Sequence, residues 1–341
     1  MPASDWTIFW TSASFVVLSG SLIGRVSGEL GERLGLGRAW AGAVLLSFAT
    51  TLPELVATAT VTIEGAYGLA LGGIIGSVVF NLFILAAMDL ADPEPLYAGG
   101  KLSRDHLATG LLGTALLAVV MAGLALGLAR NTGLAASSPG ALLFAPAGAI
   151  ALYFTGQAVL FRMAKRPREK EPAPPAVFSS LGNGALAGAY AVTAGVILVS
   201  ASALGSSVNR LAEHYGLSAT FAGAVMLGVV TSLPEITNAF ACARRKEYDL
   251  AVGNLLGANA LVLAVLAAAS LAAGNRIFAA VSPSDAVSAL IMAGIAVVMQ
   301  AIALGALAAE SGHGFRRLRA ASLLLAALYA ASLYLSSLFG R

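Results

Sequence analysis

Apolar residues run along this chain in long blocks, not in the strict alternation of a strand or the three-and-four spacing of an amphipathic surface helix. Most blocks reach about 20 residues, the length an α-helix needs to cross roughly 30 Å of hydrocarbon. Short clusters of charge, Gly and Pro separate them. The pattern predicts ten spanning helices: Ile8–Ile23, Trp40–Ile63, Tyr67–Met88, Leu107–Leu128, Ala141–Phe161, Ala185–Val208, Phe221–Ala243, Leu250–Ala273, Val287–Leu307 and Ala320–Leu338. The first is read as a span and not as a cleaved leader, because Met1–Trp6 has no basic residue.

Composition supports the same class. Hydrophobic residues make up 58% of the 341 and charged residues 11%, whereas soluble domains carry roughly 25% charged residues. The bilayer is therefore the expected solvent, and an ordinary soluble enzyme or a disordered chain is excluded. Cys242 is the single cysteine, so no internal disulfide framework exists. A net charge of +3 gives no reason to expect nucleic acid as a partner. His106, His214 and His313 form no zinc-ligand spacing, and no Walker-type phosphate loop occurs. Neither an enzyme nor a cofactor is expected.

Charge placement orients the spans. Of the 20 Lys and Arg, all but Arg130, Arg210, Arg276 and Arg341 fall in one set of alternate loops. That set includes Arg25, Arg33 and Arg38, the run from Arg162 to Lys170, Arg244 to Lys246, and Arg316 to Arg319. The positive-inside rule puts it in the cytoplasm, so the expected location is the inner (plasma) membrane with both termini extracytoplasmic.

The chain is also duplicated. At an offset of 181 positions, Ala41–Leu90 aligns without a gap with Ala222–Leu271, and about 19 of roughly 50 positions are identical. Each copy holds five predicted spans, an odd number, so the second enters the membrane from the opposite side. The fold expected is an all-α polytopic membrane protein of ten transmembrane helices in two inverted five-helix repeats, residues 1–161 and 179–341, joined by a cytoplasmic linker at 162–178. Inverted repeats of this kind place ion sites near the midplane.

Of the 17 acidic residues, Glu54 and Glu235 are the two expected deep within apolar spans, and they are repeat equivalents. A carboxylate there costs about 2.5 to 3.5 kcal/mol on insertion scales and is read as functional. Pro53 and Pro234 precede them. Each lacks the N–H that would serve the carbonyl four residues back, at Ala49 and Val230. The carbonyls around Ser47 and Gly228 are expected to loosen too, and unwound backbone at this depth is tolerated where it lines a cavity. Thr50 and Thr231 share a helix face with the glutamates, and Thr51 and Ser232 are adjacent. On the next span, Ser77, Asn81 and Asn254 offer further oxygens. Calcium takes six to eight such ligands. The expected cation site is Glu54, Glu235, Thr50, Thr231, Thr51, Ser232, Ser77 and Asn81, with backbone at Ser47 and Gly228.

These residues resemble the two alpha-repeats of the sodium/calcium exchanger family, within the cation/calcium exchanger superfamily. The matching stretches are 49–54 with 72–81, and 230–235 with 253–259. The resemblance implies Ca2+ bound between Glu54 and Glu235 with help from Thr50 and Thr231, flanking Na+ sites, and alternating access by sliding of the first and sixth spans. The sequence departs from the family pattern at Gly73 and Val78, where Asn is usual, at Ala258, where Ser is usual, and at Val262, where a polar or acidic residue is common. These departures bear on sodium coupling, and exchange against H+ or with another cation is the alternative. A passive channel or a transport-dead scaffold is a reading of another class.

Overall fold

The structure is a computed structural model that describes residues 2–33, 47–92, 96, 102, 105–134, 141–164, 178, 180–244, 246, 248–308 and 315–340. Its elements are helices: α1 Pro2–Arg33, α2 Ser47–Thr50, α3 Leu52–Ile63, α4 Tyr67–Ala91, α5 Asp105–Asn131, α6 Ala141–Ala164 and α7 Asn183–Tyr215. There follow α8 Ala219–Ala222, a π-helical turn π1 Gly223–Gly228, α9 Val229–Thr231, α10 Leu233–Arg244, α11 Tyr248–Ala272, α12 Arg276–Ala279, α13 Pro283–Ala308 and α14 Phe315–Phe339.

Among the described residues, eight helices are long and apolar enough to cross a bilayer. A ninth span is made by the pair Ala219–Thr231 and Leu233–Arg244, bent by 45°. The remaining predicted span, Trp40–Ile63, is represented by α2 and the 12-residue α3, and its first residues, 40–46, lie outside the described residues. Of the predicted linker at 162–178, residues 165–177 lie outside them too, and 162–164 continue α6.

Both segments are interrupted two residues before the proline, at Thr51 and Ser232. These residues sit near ψ = −4° and 4°, in the bridge region where a helix loses its regular path. The proline ring, which clashes with the preceding turn and offers no N–H, accounts for the position of the break. The Ser47 and Gly228 carbonyls do not loosen as expected. Thr51 N–H donates to Ser47 O at 3.0 Å and Ser232 N–H to Gly228 O at 3.2 Å. The break takes effect after these bonds, so the carbonyls keep a helical partner and can offer only a second lone pair.

α4 is the most enclosed element, with 94% of its apolar segment buried against 17% for α6. It packs against π1, α13 and α14, while α11 packs against α5, α6 and α10. Glycine permits the closest of these contacts. A Cβ on Gly76 would lie 2.5 Å from Ala224 Cα, and one on Gly228 would lie 2.7 Å from Gly73 O, so α4 and π1 meet backbone to backbone.

α1 and α7 pair with each other along one flank, and α7 also packs on α3. Asp5 receives Arg210 Nε at 2.7 Å, and Trp6 Nε1 donates to Tyr215 at 3.1 Å. At the other end, Arg33 donates to the carbonyls of Leu181 and Phe178, and Glu29 accepts from Phe178 N–H at 2.8 Å. These terminal polar ties explain why both helices run well past the apolar blocks that predicted them.

Candidate functional site

The site lies where the two interrupted segments, α2–α3 and α9–α10, meet α4 and α11. Glu54, in the first turn of α3, is 3% exposed, and Glu235, in the first turn of α10, is 1% exposed. The two carboxylates are close enough for their charges to repel. Leaving both ionised in an apolar interior is costly unless a cation neutralises them.

Glu54 Oε1 accepts from Ser232 Oγ at 3.1 Å and from Ser77 Oγ at 3.5 Å, and the two hydroxyls lie 2.5 Å apart. Glu54 Oε2 and both oxygens of Glu235 are buried without a hydrogen-bond partner, as is Thr51 Oγ1. Thr231 is next to Glu54 and Thr50 next to Glu235, each reaching across from the other repeat. Each hydroxyl also lies within reach of a backbone carbonyl, Thr231 of Leu227 O at 2.9 Å and Thr50 of Ser47 O at 3.3 Å.

A second layer lies along α4 and α11. Ser47 Oγ donates to Asn254 Oδ1 at 3.1 Å, and Asn81 Nδ2 donates to Asn259 Oδ1 at 2.9 Å. The expected residues Glu54, Glu235, Thr50, Thr231, Thr51, Ser232, Ser77, Asn81 and Ser47 are thus all buried in this region. Gly228 is there as well, but as a packing surface against Gly73. Asn259 joins the site although the sequence pattern does not mark it as an oxygen donor. The signal for it is an amide inside an apolar helix, one turn before Val262, where the family pattern has a polar residue.

Asp89 is a further buried acid, outside the carboxylate pair. It is 0% exposed at the end of α4, one residue past the predicted span, and is satisfied by Leu96 N–H and by Ser322 Oγ at 2.7 Å. Its partners identify it as an anchor between α4, the following segment and α14. Among the described residues, no group of three or more His, Cys, Asp or Glu gathers anywhere. A cation at the Glu pair would therefore be held by two carboxylates together with neutral hydroxyl and carbonyl oxygens, a donor set suited to a hard ion.

A multi-pass helical membrane protein with two helices interrupted before a proline and converging on a buried carboxylate pair is the class these features define. The chain belongs to the sodium/calcium exchanger protein family, a family of transporters, which it matches over residues 4–161 and 185–338. It is 31% identical over 113 residues to the putative antiporter CaxA of Alkalimonas amylolytica, covering 33% of this chain and 35% of that protein. It is 26% identical over 218 residues to the inner membrane protein YrbG of Escherichia coli K12, covering 64% of each. The chain thus spans about a third of one curated relative and under two thirds of the other. Its fold resembles the H+/Ca2+ exchanger CAX (TM-score 0.67, 14% identity, 98% of this chain and 89% of that one). It also resembles the sodium-calcium exchanger NCX_Mj (TM-score 0.61, 17% identity, 98% and 99%).

Proposed function

We propose that this protein is a secondary-active antiporter that exchanges Ca2+ against Na+ by alternating access. The observation that carries this reading is the pair Glu54 and Glu235, buried together with three of their four carboxylate oxygens unpartnered. One divalent ion between them would give local neutrality. Thr50, Thr231, Thr51, Ser232, Ser77 and Asn81 would supply further oxygens toward the six to eight that calcium takes.

The reading includes ten spans in two inverted repeats, in the inner membrane, with both termini extracytoplasmic. Packing between helices supports the duplication. α5 packs on α11 and α6, and the equivalent α13 packs on α4 and α14. The pairing of α1 with α7, tied at both ends, supports their sliding as one body past the interrupted segments.

A specific observation favours a second coupling ion. Ala258 and Val262, the repeat equivalents of Ser77 and Asn81, carry no side-chain oxygen, so H+ replaces Na+ as the driving ion in the alternative. Labelled calcium uptake into proteoliposomes tests both. Uptake driven by an outward sodium gradient supports the first, and uptake driven by a pH gradient in sodium-free buffer supports the second. No uptake under either gradient refutes the antiporter.

A further inference from the structure

Val78 and Asn259 are equivalent in the sequence repeat, 181 positions apart, and they touch: Asn259 Nδ2 donates to the Val78 carbonyl at 3.5 Å. A backbone carbonyl can only accept, so Asn259 must turn its amide nitrogen that way. Its own carbonyl oxygen then faces Asn81 and accepts from Asn81 Nδ2 at 2.9 Å. Asn81 is thereby left with its nitrogen committed and its Oδ1 buried without a partner. An unmade hydrogen bond at a buried carbonyl is costly, and a cation would satisfy it. Asn81 lies one helical turn past Ser77, which bonds Glu54.

We propose that Asn259 is a positioning residue for cation binding: the chain of bonds from the Val78 carbonyl through Asn259 fixes the Asn81 amide so that it presents oxygen, and not nitrogen, to the ion. The proposal rests on the antiporter reading. Without Asn259 the Asn81 amide is free to turn, and its NH2 group would repel a cation. The relay occurs once, because the repeat equivalents of Asn81 and Asn259 are Val262 and Val78, both buried and apolar. A general role as glue between helices would predict a loss of stability alone.

The test is labelled calcium uptake into proteoliposomes as a function of calcium concentration, with the wild type, Asn259→Ala, Asn81→Ala, the double variant, and Asn81→Asp combined with Asn259→Ala. Each single alanine is expected to raise the apparent KM about tenfold, the scale of one lost interaction, with the maximal rate within about twofold. The double alanine variant is expected to be no worse than either single. Asn81→Asp should restore the KM of Asn259→Ala, because a carboxylate presents oxygen whichever way it turns. An unchanged KM in Asn259→Ala, single effects that multiply, or no rescue by Asn81→Asp would each overturn the relay. If Asn259→Ala gives no monodisperse protein, Asn259→Ser is read instead. Its hydroxyl can donate as readily as accept, so KM should still rise, and an unchanged KM overturns the proposal. Wild-type vesicles that take up no calcium refute the antiporter reading itself, whereas wild-type uptake with unshifted variants refutes the relay alone.

Discussion

On one side of the site Glu54 is held by Ser232 and Ser77, and on the other Glu235 has no donor. The equivalents of Ser232 and Ser77 across the repeat are Thr51 and Ala258. Ala258 carries no hydroxyl, and Thr51 Oγ1 is left buried and alone. The same asymmetry recurs one layer out. Ser47 bonds Asn254, while their equivalents, Gly228 and Gly73, meet backbone to backbone. Duplication thus supplied a common framework of broken helices and acids, and substitution at neutral positions made one side rich in oxygen and the other poor. Charge and neutral donors are thus distributed independently: both copies keep the acid, and one keeps more of the hydroxyls and amides around it.

Removing either charge is expected to have the largest effect. Glu54→Gln and Glu235→Gln should each reduce calcium exchange by about a hundredfold or more, since either leaves the ion one unneutralised charge in a low-dielectric site. If one of the two kept normal flux, the acids would not be acting as a pair. The shared framework comes next. Gly76→Ala puts a Cβ 2.5 Å from Ala224 Cα, against backbone that cannot give. It should cost about 1 to 3 kcal/mol, read as a lowered Tm in detergent.

Two substitutions exchange the sides. Ser77→Ala makes the Glu54 side resemble its partner and should raise the apparent KM for calcium about tenfold, on the scale of one charge-assisted hydrogen bond or ligand lost. Ala258→Ser makes the reverse change, giving Thr51 and Glu235 the hydroxyl that their equivalents have. It should strengthen sodium competition against calcium uptake by about threefold, a gain smaller than the loss because the new group must be accommodated in a packed interior. The smallest effect is expected at Glu64, which accepts from Ser206 Oγ and from Asn209 Nδ2 and so ties the end of α3 to α7. These groups are exposed, so Glu64→Gln should change the exchange rate by about twofold with KM unaltered.

Much of this architecture is legible in the amino-acid sequence. Block lengths mark the spans, and an offset of 181 pairs the glutamates. Thr-x-x-Pro-Glu, occurring twice, marks the broken helices. What stays hidden depends on contacts between residues that are not repeat equivalents. Ser77 meets Ser232, and Asn81 meets Asn259, so aligning the copies with each other does not reveal which side chains touch. Asp89 cannot be read as satisfied from its neighbours, because one of its partners, Ser322, lies 233 positions away. The π-helical turn before Thr231 leaves no local signature, since its Gly-Ala-Val-Met-Leu-Gly sequence fits an ordinary apolar helix as well.

The decisive observation would be the anomalous signal from calcium in crystals of the wild-type protein soaked with the ion. A single peak between Glu54 and Glu235, with oxygens of both carboxylates at about 2.3–2.6 Å, is the result expected. Calcium bound elsewhere, or a peak that contacts one acid while the other turns away, would contradict the shared site.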